Sequence, residues 1–282
     1  MIVQQYVGNF MMTLDLADNG ISNVLYQVGE REKAFMGIMQ DTVKEGMVCL
    51  DLGANIGYTT LYMLKNVGDD GYVYAIEPGK HNLELLQKNV DQNNFEDSCE
   101  ITEGAISSQD GELDFWLADA PNLHSFTKTH RSRDKVSVEA YTLETFLKNK
   151  RFPNFIKMDV EGHEVDIFKG GLNYFKSNPG HTNILVEVHP GLYNEDNDFA
   201  AILKEYFAIG FKPKYVVTTP VPQPRLFREA GYTPVKSVQT DGFHRGVYED
   251  ISEEHLLEFA CKENPEGNSK KIVRSFMITR EI

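Results

Sequence analysis

The sequence predicts an α/β fold built on a mostly parallel sheet, and two observations predict it. Apolar stretches alternate three times with helical ones, as "MVCLDLG" before "YTTLYMLKNV", "GYVYAIEP" before "HNLELLQKNVDQNN", and "NFIKMDVEG" before "HEVDIFKGGLNYFK". A fourth apolar stretch, "TNILVEVHP", then follows. Short strands separated by helices of about 10 to 15 residues are typical of βαβ units, in which the strands lie parallel.

Further strands are expected after the second of these units and near the end of the sequence. "CEITEGAIS", "GELDFWLA" and "KVSVEAYT" have strand patterns with no long helix among them, and "KIVRSFMIT" would close the sheet. Residues 219–271 are expected to form an irregular insertion, because "PVPQPRLFREAGYTPV" contains four prolines. Within them, Ser252 is expected to cap a short helix.

The first 45 residues are expected to form a β-hairpin and a helix that cap the main domain, which spans residues 46–282. Apolar and polar residues alternate on both sides of "DNG". Since asparagine and glycine readily adopt positive φ, this pattern predicts a hairpin turn at Asn19 and Gly20.

Composition and charge narrow the classes of protein. The chain has 282 residues and a formal charge of −14, which would repel a nucleic-acid backbone or an anionic membrane surface. Its three cysteines form no C-x-x-C pair, so neither a disulfide framework nor a zinc site is expected. No secretory signal and no apolar run of about 18 residues are seen. We expect a soluble, cytoplasmic protein that binds a small molecule or glycan, with a homodimer left open.

The turn after the first strand, "DLGANIGY", predicts a ligand site. In a doubly wound sheet the first such turn lies under the ligand, and glycines at positions 53 and 57 permit a sharp turn and close packing. Glu77 ends the second strand, where a carboxylate meets ribose hydroxyls in nucleotide-binding folds. The two features together predict a ligand that contains ribose.

Two later strands end in ionisable groups. By alternation Lys157, Asp159 and Glu161 share one side of their strand, and Glu187 and His189 are likewise spaced by two. Buried ionisable groups are costly unless they are paired or used, so these strand ends predict a site beside the glycine turn.

The motifs, taken in order, resemble a known family. Between residues 13 and 190 stand "DNGIS", "GEREKAF", "DLGANIGYTT", "YAIEP", "EGAISSQDGE", "PNLHS", "IKMDVEGHEVDIFKGG" and "LVEVHP". In these the chain resembles the FkbM methyltransferases, which use S-adenosylmethionine. The resemblance implies a Rossmann-like class I methyltransferase fold with a seven-stranded sheet. It also implies O-methylation of a hydroxyl, often on a sugar or glycan.

The resemblance implies roles for individual residues. Asp51 would orient the amino-acid end of the cofactor over the amides of residues 53–57, Glu77 would bind the ribose diol, and Glu103 would accept a hydrogen bond from the adenine amine. Asp159 would lie beside the sulfonium. The expected cofactor-binding set is Asp51, Gly53, Ala54, Asn55, Gly57, Tyr58, Glu77, Glu103, Ala105 and Asp159. The expected substrate-binding set is Asn122, His124, Ser125 and Glu161.

His189 is the first candidate for the base that removes the proton from the hydroxyl, with Asp159 and Glu187 as rivals. A purely structural histidine held by Glu187 or Glu161 is an equal alternative. The same groups would suit Mg²⁺ or Mn²⁺, but they match a cationic cofactor equally well, so no metal is expected.

The loop with Lys128, Arg131, Arg133 and Lys135 is the clearest local excess of positive charge. It indicates either an anionic acceptor or merely solubilising charges.

Two other functions remain open from the sequence. An NAD-dependent oxidoreductase or epimerase is favoured by Glu77 but opposed by Asn55, which interrupts the G-x-G-x-x-G pattern, and by "MDVEG". A non-catalytic nucleoside-binding module would bind the cofactor without turnover. It fits less well with the retention of Asp51, Glu77 and Asp159.

Overall fold

The computed structural model describes residues 1–18, 20–118, 124–263 and 271–281. The strands are β1 (Ile2–Val7), β2 (Phe10–Asp15), β3 (Val48–Leu52), β4 (Tyr72–Glu77), β5 (Cys99–Glu103), β6 (Ala105–Ile106), β7 (Gly111–Ala118), β8 (Ser132–Tyr141), β9 (Phe155–Met158), β10 (Thr182–Glu187), β11 (Lys212–Thr218), β12 (Lys236–Thr240), β13 (Phe243–Glu249) and β14 (Val273–Arg280). The helices are α1 (Ile21–Val28), α2 (Lys33–Thr42), α3 (Tyr58–Val67), α4 (Lys80–Asp91), α5 (Leu143–Phe146), α6 (Glu164–Ser177), α7 (Phe199–Ala208), α8 (Arg225–Glu229) and α9 (Glu253–Ala260).

The main sheet has nine strands in the order β12-β13-β11-β14-β10-β9-β3-β4-β5. From β10 to β5 all neighbours are parallel, whereas β14 is antiparallel to both β10 and β11. This arrangement confirms the α/β class. The carboxyl ends of β3, β4, β9 and β10 meet at one edge, beyond which a doubly wound sheet binds its ligand.

Two strands extend the sheet beyond the seven that were expected. The segment expected to be irregular contains the antiparallel hairpin β12–β13 as well as α8 and α9. Asp241 and Gly242 both have positive φ, as a two-residue hairpin turn requires, so the Asp-Gly pair was the signal that the proline-based prediction missed. The predicted cap of α9 is confirmed, because the Ser252 side chain accepts a hydrogen bond from the amide of His255.

The amino-terminal hairpin lies earlier than predicted. β1 and β2 pair directly, with Val7 opposite Phe10, so the turn falls at residues 8–9. The segment after Gly20 is helix α1 instead of a strand, and Asn19 lies outside the described residues. The Asp18 carboxylate accepts hydrogen bonds from the amides of Gly20 and Ser22, so it caps the start of a helix instead of closing a hairpin.

Helices cover both faces of the main sheet. Residues of α2, α3 and α4 share one buried cluster with β1 and β2, and residues of α5, α6, α7 and α9 form the cluster on the other face. The small sheet β6-β8-β7 stands beside the end of β4, where β6 contacts it. Among the described residues, no helix is both long enough and apolar enough to cross a bilayer.

Candidate active site

A cavity of about 320 Å³ lies at the carboxyl edge of the central strands. The predicted site residues on its wall are Gly53, Ala54, Asn55, Tyr58, Glu77, Ala105, His124, Asp159, Glu161, Glu187 and His189. Four others, Asp51, Gly57, Glu103 and Ser125, do not line it, and Asn122 lies outside the described residues. The structure therefore brings most of the predicted set to a single cavity.

The two glycines of the turn allow close packing in different directions. Both have positive φ. A methyl group on Gly53 would overlap the carbonyl oxygen of Asp159, so this glycine lets β3 approach the end of β9. A methyl group on Gly57 would press on the Leu86 side chain, so this glycine lets the turn pack closely against α4.

The turn's amides are already used by the protein. The amides of Gly53 and Ala54 both donate to the carbonyl of Ile76, and the amide of Gly57 donates to that of Ala54. The amide of Asn55 donates to Glu77 at 2.8 Å. That of residue 56 donates to the side chain of Asn55. All five amides of residues 53–57 therefore have partners within the protein. The turn shapes the cavity floor and holds Glu77.

Glu77 lies on the cavity wall in a fixed position. Its Oε1 accepts hydrogen bonds from the amide of Gly79 and the side chain of Asn82, and its Oε2 accepts the bond from Asn55. Burial raises the pKa of Glu77, and these three donors oppose the rise. A carboxylate held in this way keeps further acceptor positions for hydroxyl groups in the cavity.

Asp51 lies beneath the cavity and does not line it. Its carboxylate pairs with Nζ of Lys157 at 3.0 Å and accepts hydrogen bonds from the hydroxyls of Thr59 and Thr60. Lys157 does line the cavity, and its Nζ also donates to the carbonyl of Gly53. Although burial opposes its charge, Asp51 and Asp159 raise the pKa of Lys157. Asp51 thus fixes this cation and the start of α3, and its predicted contact with the cofactor stays a prediction.

Aromatic rings close the end of the cavity near Ala105. Phe115, Phe126 and His163 lie on the wall, and none was predicted as a site residue. Glu103 faces outward beside Lys80, at 3.9 Å.

The two described residues of the "NLHS" motif have different roles. His124 lines the cavity, accepts a hydrogen bond from the amide of Ala118, and has its pKa lowered by burial. Ser125 instead donates to the carbonyl of Glu161 at 2.7 Å and so fixes the backbone beneath that side chain.

Two carboxyl groups at the end of β9 have pKa values raised toward neutral pH. Burial, followed by the charge of Glu187, raises the pKa of Asp159 to about 6. Burial likewise raises the pKa of Glu161 to about 7. Glu161 has φ of +48°, a backbone strain that clusters at functional sites. Oδ1 of Asp159 is buried and has no hydrogen-bond partner among the described residues, as suits a group that meets a cation.

His189 is held between carboxylates. Its Nδ1 lies 2.6 Å from Oε1 of Glu164, and its Nε2 lies 3.5 Å from both Glu161 and Glu187. Burial opposes a positive charge on the ring, but the neighbouring carboxylates raise the pKa of His189 well above its ordinary value. The largest of these contributions comes from Glu164. Glu164 is fully buried and also accepts from the hydroxyl of Tyr193. No sequence signal set Glu164 apart from other acidic residues at a helix start.

Five alternating charges form what we call the ion-pair chain: Arg31, Glu32, Arg274, Glu187 and Lys271. Oε1 of Glu32 accepts from both Arg31 and Arg274 at 2.8 Å. Glu187 pairs with Arg274 at 2.5 Å and with Lys271 at 3.1 Å. Although burial opposes it, these two cations hold the pKa of Glu187 well below its ordinary value. All five residues line the cavity.

The charged loop after β7 does not supply these cations. Lys128 and Lys135 lie over the ring of Trp116, and Lys135 also pairs with Asp114. Neither lysine lines the cavity. Of the ion-pair chain, Arg31 and Glu32 fall within the quoted motif "GEREKAF", whereas Lys271 and Arg274 carry no recognisable signal.

Asp159, Glu187 and His189 can bring ligand atoms within 4.8 Å of one another, close enough for a metal ion. Two of them have competing partners. Glu187 already pairs with two cations, and the contact with Glu164 favours the protonated form of His189, which has no lone pair to offer. The grouping therefore fits a cation carried by an organic ligand better than it fits a metal ion.

The fold is a Rossmann-like α/β architecture, and its cavity has acidic groups at the ends of β4 and β9. The sequence model of the Methyltransferase FkbM domain matches residues 51–213. The chain therefore belongs to the FkbM methyltransferase family and is an enzyme that uses S-adenosylmethionine. The match gives no support to an NAD-dependent oxidoreductase.

Two relatives are similar in sequence. The hexuronic acid methyltransferase AglP of Haloferax volcanii is 27% identical over 183 residues, which cover 62% of this chain and 68% of AglP. Methyltransferase 1 of Beauveria bassiana is 26% identical over 143 residues, which cover 43% of this chain and 57% of that protein. The fold is also similar to the crystal structure of an FkbM methyltransferase from Methylobacillus flagellatus, with 17% sequence identity and a TM-score of 0.43. The aligned part covers 72% of this chain and 43% of that protein's chain.

Proposed function

We propose that the protein transfers the methyl group of S-adenosylmethionine to a hydroxyl of a sugar or glycan, in the cytoplasm as its composition suggests. The observation that carries the proposal is the cavity, which has acidic groups for a cationic donor and room beside them for a small polar acceptor. The similarity to AglP, a hexuronic acid methyltransferase, supports a sugar acceptor.

The residues present fit the cofactor. Glu77 would hold the ribose hydroxyls, and the aromatic wall near Ala105 would hold the adenine. Asp159, with its unpartnered buried oxygen, would face the positive charge of the cofactor. When bound, the cofactor supplies an electrophilic methyl group.

The chain's own part in the reaction is to position the acceptor and accept its proton. Of the carboxyl groups near the donor, Glu161 is the most accessible, with a side chain 30% exposed, and its single described ion-pair contact is His189 at 3.5 Å. The contact with Glu164 favours the protonated form of His189, which makes His189 less suited to the role of base that the sequence suggested. We therefore assign proton removal to Glu161, with His189 as the cation beside it.

The reaction can be tested by measuring formation of S-adenosylhomocysteine with a panel of 4-nitrophenyl glycosides and with catechol as a non-sugar acceptor. Methylation of at least one glycoside, with none of catechol, supports a sugar acceptor. Methylation of catechol alone would refute it.

The pH dependence tests the assignment of the base. Because Glu161 must be ionised to accept a proton, kcat should rise with pH through about 7. Glu161→Gln should lower kcat about 100-fold or more and remove this rise. His189→Gln should move the midpoint upward, since His189 lowers the pKa of Glu161. An unchanged midpoint in Glu161→Gln would exclude Glu161 as the base.

A further inference from the structure

The turn of the β12–β13 hairpin reaches the start of α2. Both carboxylate oxygens of Asp241 accept a hydrogen bond from the amide of Glu32, at 3.1 and 3.2 Å. The hydroxyl of Thr240 accepts one from the amide of Lys33 at 2.9 Å and donates one to Asp241 at 2.8 Å. The first amides of α2 are therefore bound by two residues that stand 209 and 207 positions later in the sequence.

Helix α2 has no cap from its own neighbourhood. The residue at its N-cap position is Glu32, which has φ of +51° and whose side chain makes no capping hydrogen bond among the described residues. An N-cap residue ordinarily has an extended backbone, and its own side chain binds the first amides. A left-handed backbone is costly for a residue other than glycine, so the contacts around Glu32 must hold it there. Asp241 does so, and its negative charge also suits the start of a helix.

The strained backbone places the side chain of Glu32 on the cavity wall. Its Oε1 accepts hydrogen bonds from Arg31 and Arg274, each at 2.8 Å. Arg274 in turn pairs with Glu187 at 2.5 Å. Burial, followed by the charge of Glu187, raises the pKa of Asp159 on the same wall. The position of Glu32 therefore determines where Arg274 lies among the carboxylates of this wall.

The hairpin does not need the contact with α2 for its own pairing. β12 and β13 pair over five positions, from Lys236 opposite Val247 to Thr240 opposite Phe243. β13 also pairs with β11, so the hairpin is part of the main sheet. Loss of the Asp241 contact should therefore leave the hairpin in place and act on α2.

Glu32 and its partners lie away from the ribose end of the cavity. Glu32 precedes α2 and Arg274 lies near the start of β14, whereas Glu77 ends β4. In the order of the sheet, β14 is separated from β4 by β10, β9 and β3. Since the proposed function assigns the ribose to Glu77, the part of the cavity beside Glu32 remains for the acceptor.

We propose that Asp241 and Thr240 are positioning residues for methyl transfer. By binding the first amides of α2 they hold Glu32, so that its carboxylate bridges the two arginines of the ion-pair chain beside the acceptor. This role rests on the proposed function, which places the acceptor there. Neither residue lines the cavity, so we expect neither to contact a substrate. Both lie outside residues 51–213, so the family match assigns them no role.

Asp241→Ala is the variant that tests this role. It removes both acceptor oxygens, so Glu32 should move and kcat/KM for the acceptor should fall about tenfold, mainly through a higher KM. The measurement uses saturating S-adenosylmethionine and the acceptor that the wild type methylates fastest in the panel above. Titration with S-adenosylhomocysteine should give a Kd within about threefold of the wild-type value, which also shows that the variant is folded. A Kd weakened about tenfold or more would mean that the contact shapes the cofactor site, and this would overturn the proposal.

Two further variants separate positioning from a merely structural role. Asp241→Asn keeps an acceptor oxygen for the amide of Glu32 and a residue type that tolerates positive φ, so it should retain most of the activity. Asp250→Ala is the matched control, because Asp250 is also an exposed aspartate beside β13 with positive φ, +56° against +50° for Asp241. It should leave kcat/KM unchanged. An equal fall in Asp250→Ala, or no recovery in Asp241→Asn, would contradict the role of the side chain.

A double-mutant cycle tests whether Asp241 acts through the carboxylate of Glu32. Glu32→Gln removes the charge between the arginines but keeps the amide that Asp241 binds. Asp241→Ala should therefore raise the unfolding equilibrium constant, measured in urea, at least about threefold more in the wild type than in Glu32→Gln. Equal increases in both would mean that Asp241 only caps the helix, and the positioning role would be wrong.

Failure of the positioning role differs from failure of the proposed function. If glycosides are methylated and Asp241→Ala is as active as the wild type, sugar methylation stands and the positioning role is wrong. If catechol alone is methylated, the sugar acceptor is wrong, and Asp241→Ala is assayed with catechol. If neither is methylated, sugar methylation is wrong, and the double-mutant cycle still decides whether Asp241 holds the carboxylate of Glu32.

Discussion

The two halves of the cavity are built in different ways. The part proposed to bind the cofactor, which we call the cofactor half, is made from the ends of β3 and β4, which are close in sequence. Its geometry is fixed by backbone packing at Gly53 and by hydrogen bonds to Glu77. The part proposed to bind the acceptor, which we call the acceptor half, joins α2, β10 and β14, which are far apart in sequence, and it is held by buried ion pairs. The first half depends on shape, and the second depends on charge balance.

The difference teaches where each half is vulnerable. A turn packed this closely against backbone leaves no space for an added methyl group at Gly53. A set of buried charges loses stability when one partner is removed, because the other is left without compensation. Substitutions can therefore separate the two halves.

The largest effect is expected for Gly53→Ala. The new methyl group would overlap the carbonyl of Asp159, and φ of +73° adds strain, so the free energy of unfolding should fall by about 3 kcal/mol or more and S-adenosylhomocysteine binding should be lost. Gly46→Ala is the matched control. It has φ of +78° but open space around it, and should cost only about 1 kcal/mol. Equal losses in urea denaturation would show that packing against β9 is unimportant.

A smaller effect, confined to the acceptor half, is expected for Glu164→Gln. The variant leaves His189 without its closest carboxylate, so stability at pH 6 should fall by about 2 kcal/mol and the pKa of His189 should fall, as seen by nitrogen NMR of the ring. Because folding raises the pKa of His189, the contribution of this histidine to the free energy of unfolding is complete at a pH below about 6.5, the pKa of histidine in the unfolded chain. The effect is lost as the pH rises through the folded value.

The paired Glu164 sets the lower limit of that window. Although burial opposes it, His189 lowers the pKa of Glu164, so its stabilising effect is present above the unfolded value and lost as the pH falls through the folded one. If the Glu164→Gln variant were as stable as the wild type at pH 6 and His189 titrated alike in both, the pairing of Glu164 with His189 would not contribute to stability.

The smallest effect is expected for Glu77→Gln, in the cofactor half. The amide retains one acceptor oxygen but brings its NH₂ group against the donors that now bind Glu77, so S-adenosylhomocysteine should bind about tenfold more weakly by calorimetry. Glu103→Gln should change the Kd by less than twofold, because Glu103 lies off the cavity wall. A larger change in Kd for Glu103→Gln would support the predicted contact of Glu103 with the adenine.

The cofactor half and the parallel strands could be predicted because local signals specify them. The glycine turn and Glu77 each follow directly from a strand pattern, and strand alternation placed Asp159, Glu161 and His189 near one another. The resemblance to FkbM methyltransferases, confirmed by the family match, supplied the cofactor and the chemistry.

The rest could not be predicted, because it depends on which side chains meet in three dimensions. Packing decides that Asp51 pairs with Lys157. It also decides that the amides of the turn donate hydrogen bonds within the protein. Arg31 and Arg274 are 243 positions apart and share one oxygen of Glu32. Nothing in the local pattern of either segment indicates its partner.

The position of β14 has a consequence for the synthesis of the protein. It follows every other described strand in sequence, yet it lies between β10 and β11 in the sheet. While the chain emerges from the ribosome, β10 and β11 must each wait with an open edge, and such edges invite pairing with other chains. The cofactor half, whose strands come early in the sequence, can form during this time. The arrival of β14 closes both edges and brings Arg274 to Glu32 and Glu187, so protection from aggregation and completion of the acceptor half are achieved in the same step.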